Sequence, residues 1–217
     1  MASTKGNLAS TLVVAAVLGA AAVLAVAATH EWSRERIAAN ERARLVARLN
    51  SVLDQAVLGR DLTTTRLTVT DAHLLGSAAP VDVFVVTEGG TLVATVFASV
   101  APHGYNAPIG LLVGVAANGV ITGVRALSHR ETRGLGDSID IAKTDWIKQF
   151  DGKTLEEPSA DLWGVDKDDG HFDSITGATV TSRAVTSAVK NTLLYFQQHR
   201  DELLAAATAA PADATAN

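Results

Sequence analysis

Near its C-terminal end the chain reads D-S-I-T-G-A-T-V-T-S, from Asp173 to Ser182, directly ahead of R-A-V-T-S-A-V-K-N-T-L-L-Y-F. The second stretch has the apolar spacing of a helix. A helix start leaves backbone N–H groups without partners and carries partial positive charge, which suits it to a phosphate. Gly177 lets the backbone approach a ligand closely and expose its N–H. Thr179 places a hydroxyl at the same spot, where it can coordinate a phosphate or be esterified to one. Thr179 or Thr181 can equally cap the helix and do nothing else. Residue types and spacing leave three uses open: a cap, a loose phosphate-binding turn and a covalent site.

The elements around this segment read as α+β. From Ser33 to about Leu58 the pattern is helical, with Ile37, Val46, Leu49, Val52 and Leu53 on one stripe and Gly59 as a stop. R-L-T-V-T-D is a short strand. V-D-V-F-V-V-T-E-G-G-T-L-V-A-T-V-F-A-S-V predicts two strands around Gly89-Gly90. I-G-L-L-V-G-V-A-A-N-G-V-I-T-G-V-R-A-L predicts two more around Asn118-Gly119. Gly110, Gly114 and Gly123 inside those runs signal bulges or close backbone approach. S-I-D-I-A-K-T-D-W-I-K-Q-F reads as a short helix. Residues 151–173 are acidic and irregular, and the last helix is expected from about Thr181 to Ala207, followed by a disordered tail from 208 to 217.

Composition narrows the function classes. The chain has 217 residues, net charge −5 and no cysteine. A nucleic-acid partner is therefore not expected. Thiolate metal sites, Cys-ligated clusters, disulfides and Cys nucleophiles are excluded, and no metal site is expected. No acid–base pair or nucleophile stands out as catalytic. Leu8 to Ala28 carries no charge and matches the roughly 20 apolar residues that cross a bilayer. Its A-V-A at Ala25–Ala27 resembles a signal-peptide cleavage site. The run, however, exceeds the roughly 7–15 residues of a signal core, and Trp32 stands where an interfacial anchor would, which favours a retained transmembrane helix. Lys5 on one side and Arg34, Arg36, Arg42, Arg44 and Arg48 on the other leave its direction open.

Two separated motifs carry a resemblance. Asp173, Thr176, Gly177, Ala178 and Thr179 match each fixed position of D-x-x-[ST]-G-A-T, the flavinylation motif of the FMN-binding domain family. G-Y-N-A-P-I, from Gly104, and H-R-E-T-R-G-L-G, from His129, resemble that family's G-Y-x-x-P-I and H-x-E-T-x-G-L-G segments. Arg133 stands where family members commonly have Pro. The domain occurs in the G subunit of the Rnf ion-translocating electron transport complex and in the C subunit of the sodium-pumping NADH:quinone reductase. The length suits the Rnf branch.

The resemblance implies an N-terminal transmembrane helix (1–32), a stalk helix (33–59) and an FMN-binding domain of antiparallel strands packed with helices (60–207). It implies covalent FMN, joined to Thr179 by a phosphoester bond that a flavin transferase installs from FAD. Asp173 is then part of the transferase's recognition sequence. Thr176, Gly177 and Ala178 belong to the attachment turn, and Thr132 and Leu135 are expected to contact the flavin. His129 is not expected to be catalytic, and Trp146 and Trp163 stand as ring-stacking or core residues. The implied role is electron relay within a complex coupling ferredoxin/NAD electron transfer to Na⁺ or H⁺ movement. The protein would be a single-pass protein of the bacterial cytoplasmic membrane with the FMN domain on the periplasmic side. The rivals are the quinone-reductase homologue and a non-redox anchored module.

Overall fold

The computed structural model describes Gly19 and residues 46–53 and 63–209. The expected membrane span Leu8–Ala28 (Gly19 apart), most of the 33–59 helix and the tail from 210 lie outside the described residues. Among the described residues no helix is long and apolar enough to cross a membrane. The chain divides into two compact units, Met1–Ala47 and Arg48–Asn217, and nearly all described residues belong to the second.

Five strands form one antiparallel sheet in sequence order: β1 (Thr63–Asp71), β2 (Ser77–Glu88), β3 (Thr91–Ala101), β4 (Ile109–Ala116) and β5 (Ile121–Ser128). The β2–β3 turn is Gly89-Gly90, with φ of 55° and 81°, the positive pair that a two-residue hairpin of this twist requires. Asn118-Gly119 turns β4 into β5, with Gly119 at φ 84°. The register shifts at Gly110/Leu111 and at Gly114/Val115, so bulges do fall at two of the expected glycines.

One long helix, α1 (Thr179–Ala209), lies on the sheet. Its apolar stripe of Val185, Val189, Leu193 and Phe196 meets Val83, Phe97, Leu111, Val113 and Ile121 in a single buried cluster. Phe97 of β3 sits edge-on to both Tyr195 and Phe196, at centroid distances of 5.9 and 6.3 Å. The helix starts at Thr179, two residues before the expected start, which places that hydroxyl in its first turn. The short helix expected from S-I-D-I to K-Q-F is instead two 3-10 turns, Gly136–Ile139 and Trp146–Phe150. Between them Asp140 accepts the Ala142 N–H (3.0 Å), and Thr144 donates to the Ser138 carbonyl (2.7 Å). Such local side-chain bonds compete with helical ones.

The sheet face opposite α1 is also buried, at Phe84, Val86, Ala94, Val96 and Leu112. The helical residues before it turn at Ser51, whose N–H and hydroxyl both donate to the Arg48 carbonyl, at 3.1 and 2.7 Å. Val52 then lies over the cross-strand pair Gly114 and Gly123. The Thr122 hydroxyl donates to its carbonyl at 2.5 Å. A Cβ on Gly114 would stand 2.5 Å from the Val52 oxygen, and one on Gly123 would stand 2.9 Å from the Val52 Cα. The two glycines form a notch that pins backbone to sheet. Gly114→Ala is expected to destabilise the domain by about 1–3 kcal/mol, the usual effect of overpacking. Thermal unfolding checks this, and an unchanged midpoint would show that the notch yields freely.

Candidate functional site

The first helical hydrogen bond of α1 runs from the Ser182 N–H to the Ala178 carbonyl, at 3.0 Å. Ala178 is therefore the N-cap residue, and it has no side-chain oxygen to offer. The N–H groups of Thr179, Val180 and Thr181 have no acceptor among the described residues. Gly177 enters the helix at φ 78°, a conformation that disfavours a side chain, and a Cβ there would come 3.0 Å from the Leu135 Cδ2. The result is a helix end left open where sequences normally close it.

The hydroxyls crowded around this turn separate cleanly. Thr181, 1% exposed, donates to the Glu131 carboxylate. Ser182, fully buried, donates to the Ala178 carbonyl (3.2 Å) and accepts the Ile175 N–H (2.9 Å). Both are structural. Thr176 and Thr179 have no side-chain hydrogen bond among the described residues. Thr176 is exposed, while Thr179 is half-buried and lines a cleft.

That cleft, of about 470 Å³, is walled by Tyr105, by Glu131, Thr132, Leu135 and Gly136, and by residues 177–181. The two motif segments, far apart in sequence, thus meet the α1 start. Tyr105 (67% exposed), Leu135 (42%) and Val180 (44%) are large apolar side chains open to solvent, and all three line it. Exposed apolar surface concentrated on one concave site marks a binding surface. Thr132 accepts from the Asn106 side-chain amide at 3.2 Å. Its carbonyl accepts the N–H groups of Leu135 (3.2 Å) and Asp137 (3.3 Å). The Asp137 carboxylate accepts the Gly134 N–H at 2.7 Å, which closes the loop on itself.

Of the residues singled out in the sequence, Thr132, Leu135, Gly177, Ala178 and Thr179 come together here, and Thr176 and Asp173 do not line the cleft. The Asp173 backbone is held from outside. Its carbonyl accepts Trp146 Nε1 (2.8 Å), and its N–H donates to Gln149 Oε1 (2.7 Å). Its carboxylate is exposed and has no partner among the described residues. Trp146 therefore braces the Asp173 segment. Trp163 is buried, 4.7 Å from the Phe172 ring, with its N–H on the Thr154 carbonyl. Neither Trp lines the cleft. His129 accepts the Glu131 N–H at 3.3 Å through Nδ1. Tyr105 enters the sequence reading only within G-Y-N-A-P-I, and the structure makes it a wall of the site. An aromatic beside Gly104, at the end of a β turn, is the available signal.

An apolar slot beside an open helix N-terminus fits a ligand that joins a flat ring to a phosphate, and FMN is such a molecule. Residues 104–194, which include every wall of the cleft, match the FMN-binding domain family. The similarity extends well past this domain. The ion-translocating oxidoreductase complex G subunit of Shewanella piezotolerans is 37% identical over 87% of this chain and 89% of its own. The G subunits of Vibrio vulnificus and Vibrio parahaemolyticus are 40% and 41% identical, each over 82% of this chain and 84% of their own. The chain belongs to this family, the G subunits of ion-translocating oxidoreductase complexes.

The segment leading into the site is tied to α1 by charge. Arg183 makes a two-pronged contact with Asp168, at 2.5 and 2.6 Å. Asp166 accepts the N–H of Lys167 (2.8 Å) and of Ser174 (3.0 Å). The Arg183 guanidinium holds the Asp168 carboxyl below the usual carboxylate range, and the Ser174 hydroxyl does the same to Asp166. Both folded values are depressed. Their stabilisation is therefore present above the unfolded carboxylate range and is lost as pH falls through the folded values. The protection of amides in residues 166–174, relative to their intrinsic exchange rates, is expected to fall through that acid window, and Arg183→Gln should lower it already near neutrality. Equal protection in both proteins at neutral pH would show that the pair does not hold the segment.

Proposed function

We propose that this protein carries FMN covalently on Thr179 and relays electrons as the G subunit of an Rnf-type membrane complex. The observation that carries this reading is the free Thr179 hydroxyl beside three open helix N–H groups, facing an exposed apolar rim. Thr179 to Thr181 would hold the phosphate through their N–H groups. Tyr105, Leu135 and Val180 would shelter the ring, and Thr132 would offer its hydroxyl at the ring's edge. The isoalloxazine supplies the redox chemistry, and the chain supplies attachment, orientation and exclusion of water. The names of the relatives favour the Rnf assembly over the sodium-pumping quinone reductase. The remaining proteins of that complex are then the electron partners.

Attachment uses FAD and a flavin transferase. The Thr179 oxygen bonds to the FMN phosphorus, the bond to the AMP half breaks, AMP leaves, and the hydroxyl proton is released. The buried hydroxyls of Thr181 and Ser182 are engaged elsewhere, and the free Thr176 lies outside the cleft, which leaves Thr179 as the hydroxyl beside the open N–H groups. The unpartnered carboxylate of Asp173 is a handle for the transferase. In cells containing the transferase, Thr179→Ala is expected to abolish in-gel flavin fluorescence and the mass of bound FMN. Asp173→Ala should give folded, largely flavin-free protein. Flavin that persists on Thr179→Ala would move the site to another hydroxyl.

Residues 1–32 form the membrane anchor and 33–59 the stalk, with the FMN domain (60–207) on the periplasmic face. A tether holds a relay at high effective concentration beside its partners. Replacing residues 1–32 with a cleavable export signal should release a soluble, FMN-loaded domain and lower electron flow through the complex sharply. A mature chain that naturally starts near Ala28, or normal flow without the anchor, would refute the tether.

A further inference from the structure

Resting on the reading that FMN occupies this cleft, we propose that Glu131 is its positioning residue: one buried carboxylate sets the separation of the cleft's two walls. Glu131, a wall of the cleft, is only 6% exposed, and both of its carboxylate oxygens are engaged by the protein. Oε1 accepts the Asn106 N–H at 3.2 Å, next to Tyr105 on the rim. The Asn106 side-chain amide continues to the Arg130 carbonyl (3.0 Å) and the Thr132 hydroxyl (3.2 Å), so the Tyr105 wall moves with the loop. Oε2 accepts the Thr181 hydroxyl in the first turn of α1. The same carboxylate therefore grips the ring-facing wall with one oxygen and the phosphate-facing turn with the other.

Two glycines make room for this grip. A Cβ on Gly136 would stand 2.9 Å from both the Glu131 Oε2 and the Thr181 Oγ1. One on Gly104 would stand 3.1 Å from the Glu131 Oε1. Leucine approximates glutamate in size but offers no acceptor. The Asn106 N–H and the Thr181 hydroxyl would both lose their partner, and buried donors left unpaired force the walls to shift. The phosphate seat and the ring slot would then move relative to each other, with Thr179 itself intact.

The test uses the full chain, produced with the transferase and purified in detergent, as Glu131→Leu, Thr181→Val and the double variant. Flavin fluorescence, visible circular dichroism and midpoint potential are read per covalently bound flavin, so that differences in loading drop out. Both single variants are expected to raise fluorescence, weaken the dichroism and shift the potential. The double variant should do no more than the larger single, because both break one linkage. A substitution that only lowered stability would shift the melting temperature and leave these flavin signals alone. Loaded variants with the parent's spectra and potential, or effects that add in the double variant, would overturn the proposal. If Glu131→Leu fails to load, Thr181→Val decides by the same readings. A parent without flavin would overturn the functional reading and this inference together, whereas a flavin-bearing parent with silent variants would overturn this inference alone.

Discussion

The position of the cleft's helical wall depends on the docking of α1 across the sheet. The aromatic contact of Phe97 with Tyr195 and Phe196 fixes the helix body, and Val185, Val189 and Leu193 extend that contact toward the helix start. A helix is stiff over this length, so fixing its body fixes where its first turn points. The first turn is then locked sideways by Thr181 on Glu131 and lengthwise by Ser182 on the backbone of Ile175 and Ala178. Burial thus does the aiming, and the polar bonds of the first turn refine it.

Within that arrangement the open helix end is a local defect. An alanine at the N-cap position sacrifices about 1 kcal/mol relative to Ser, Thr, Asp or Asn. The residues on either side of it are held tightly. Thr181 and Ser182 are buried and satisfied, and Asp137 closes the facing loop. A broken local rule beside a concave, partly apolar surface is the physical mark of a candidate functional position. On the proposed reading the missing cap leaves space for an anion, and the exposed Tyr105, Leu135 and Val180 leave space for what the anion carries.

The opposite face of the sheet serves a separate end. Val52 seats in the Gly114–Gly123 notch, and Thr122 holds its carbonyl. The chain arriving from the N-terminal side is thereby fixed to the sheet before β1 begins.

Much of this was legible in the sequence because it rests on local rules. Alternation and glycine turns marked β2 to β5, since a strand's side-chain period and a turn's positive φ are written in neighbouring residues. The D-x-x-T-G-A-T segment marked a helix start with something to bind. Tertiary structure alone separated Thr179 from Thr181, because the difference between them is a carboxylate fifty residues away in the chain. The same holds for Glu131 being engaged through both oxygens, for Tyr105 reaching the rim, and for Gly114 and Gly123 lying opposite each other beneath Val52. Each depends on pairing between distant segments. Register and packing set such pairings through burial of the whole core, and no short window of sequence contains that information.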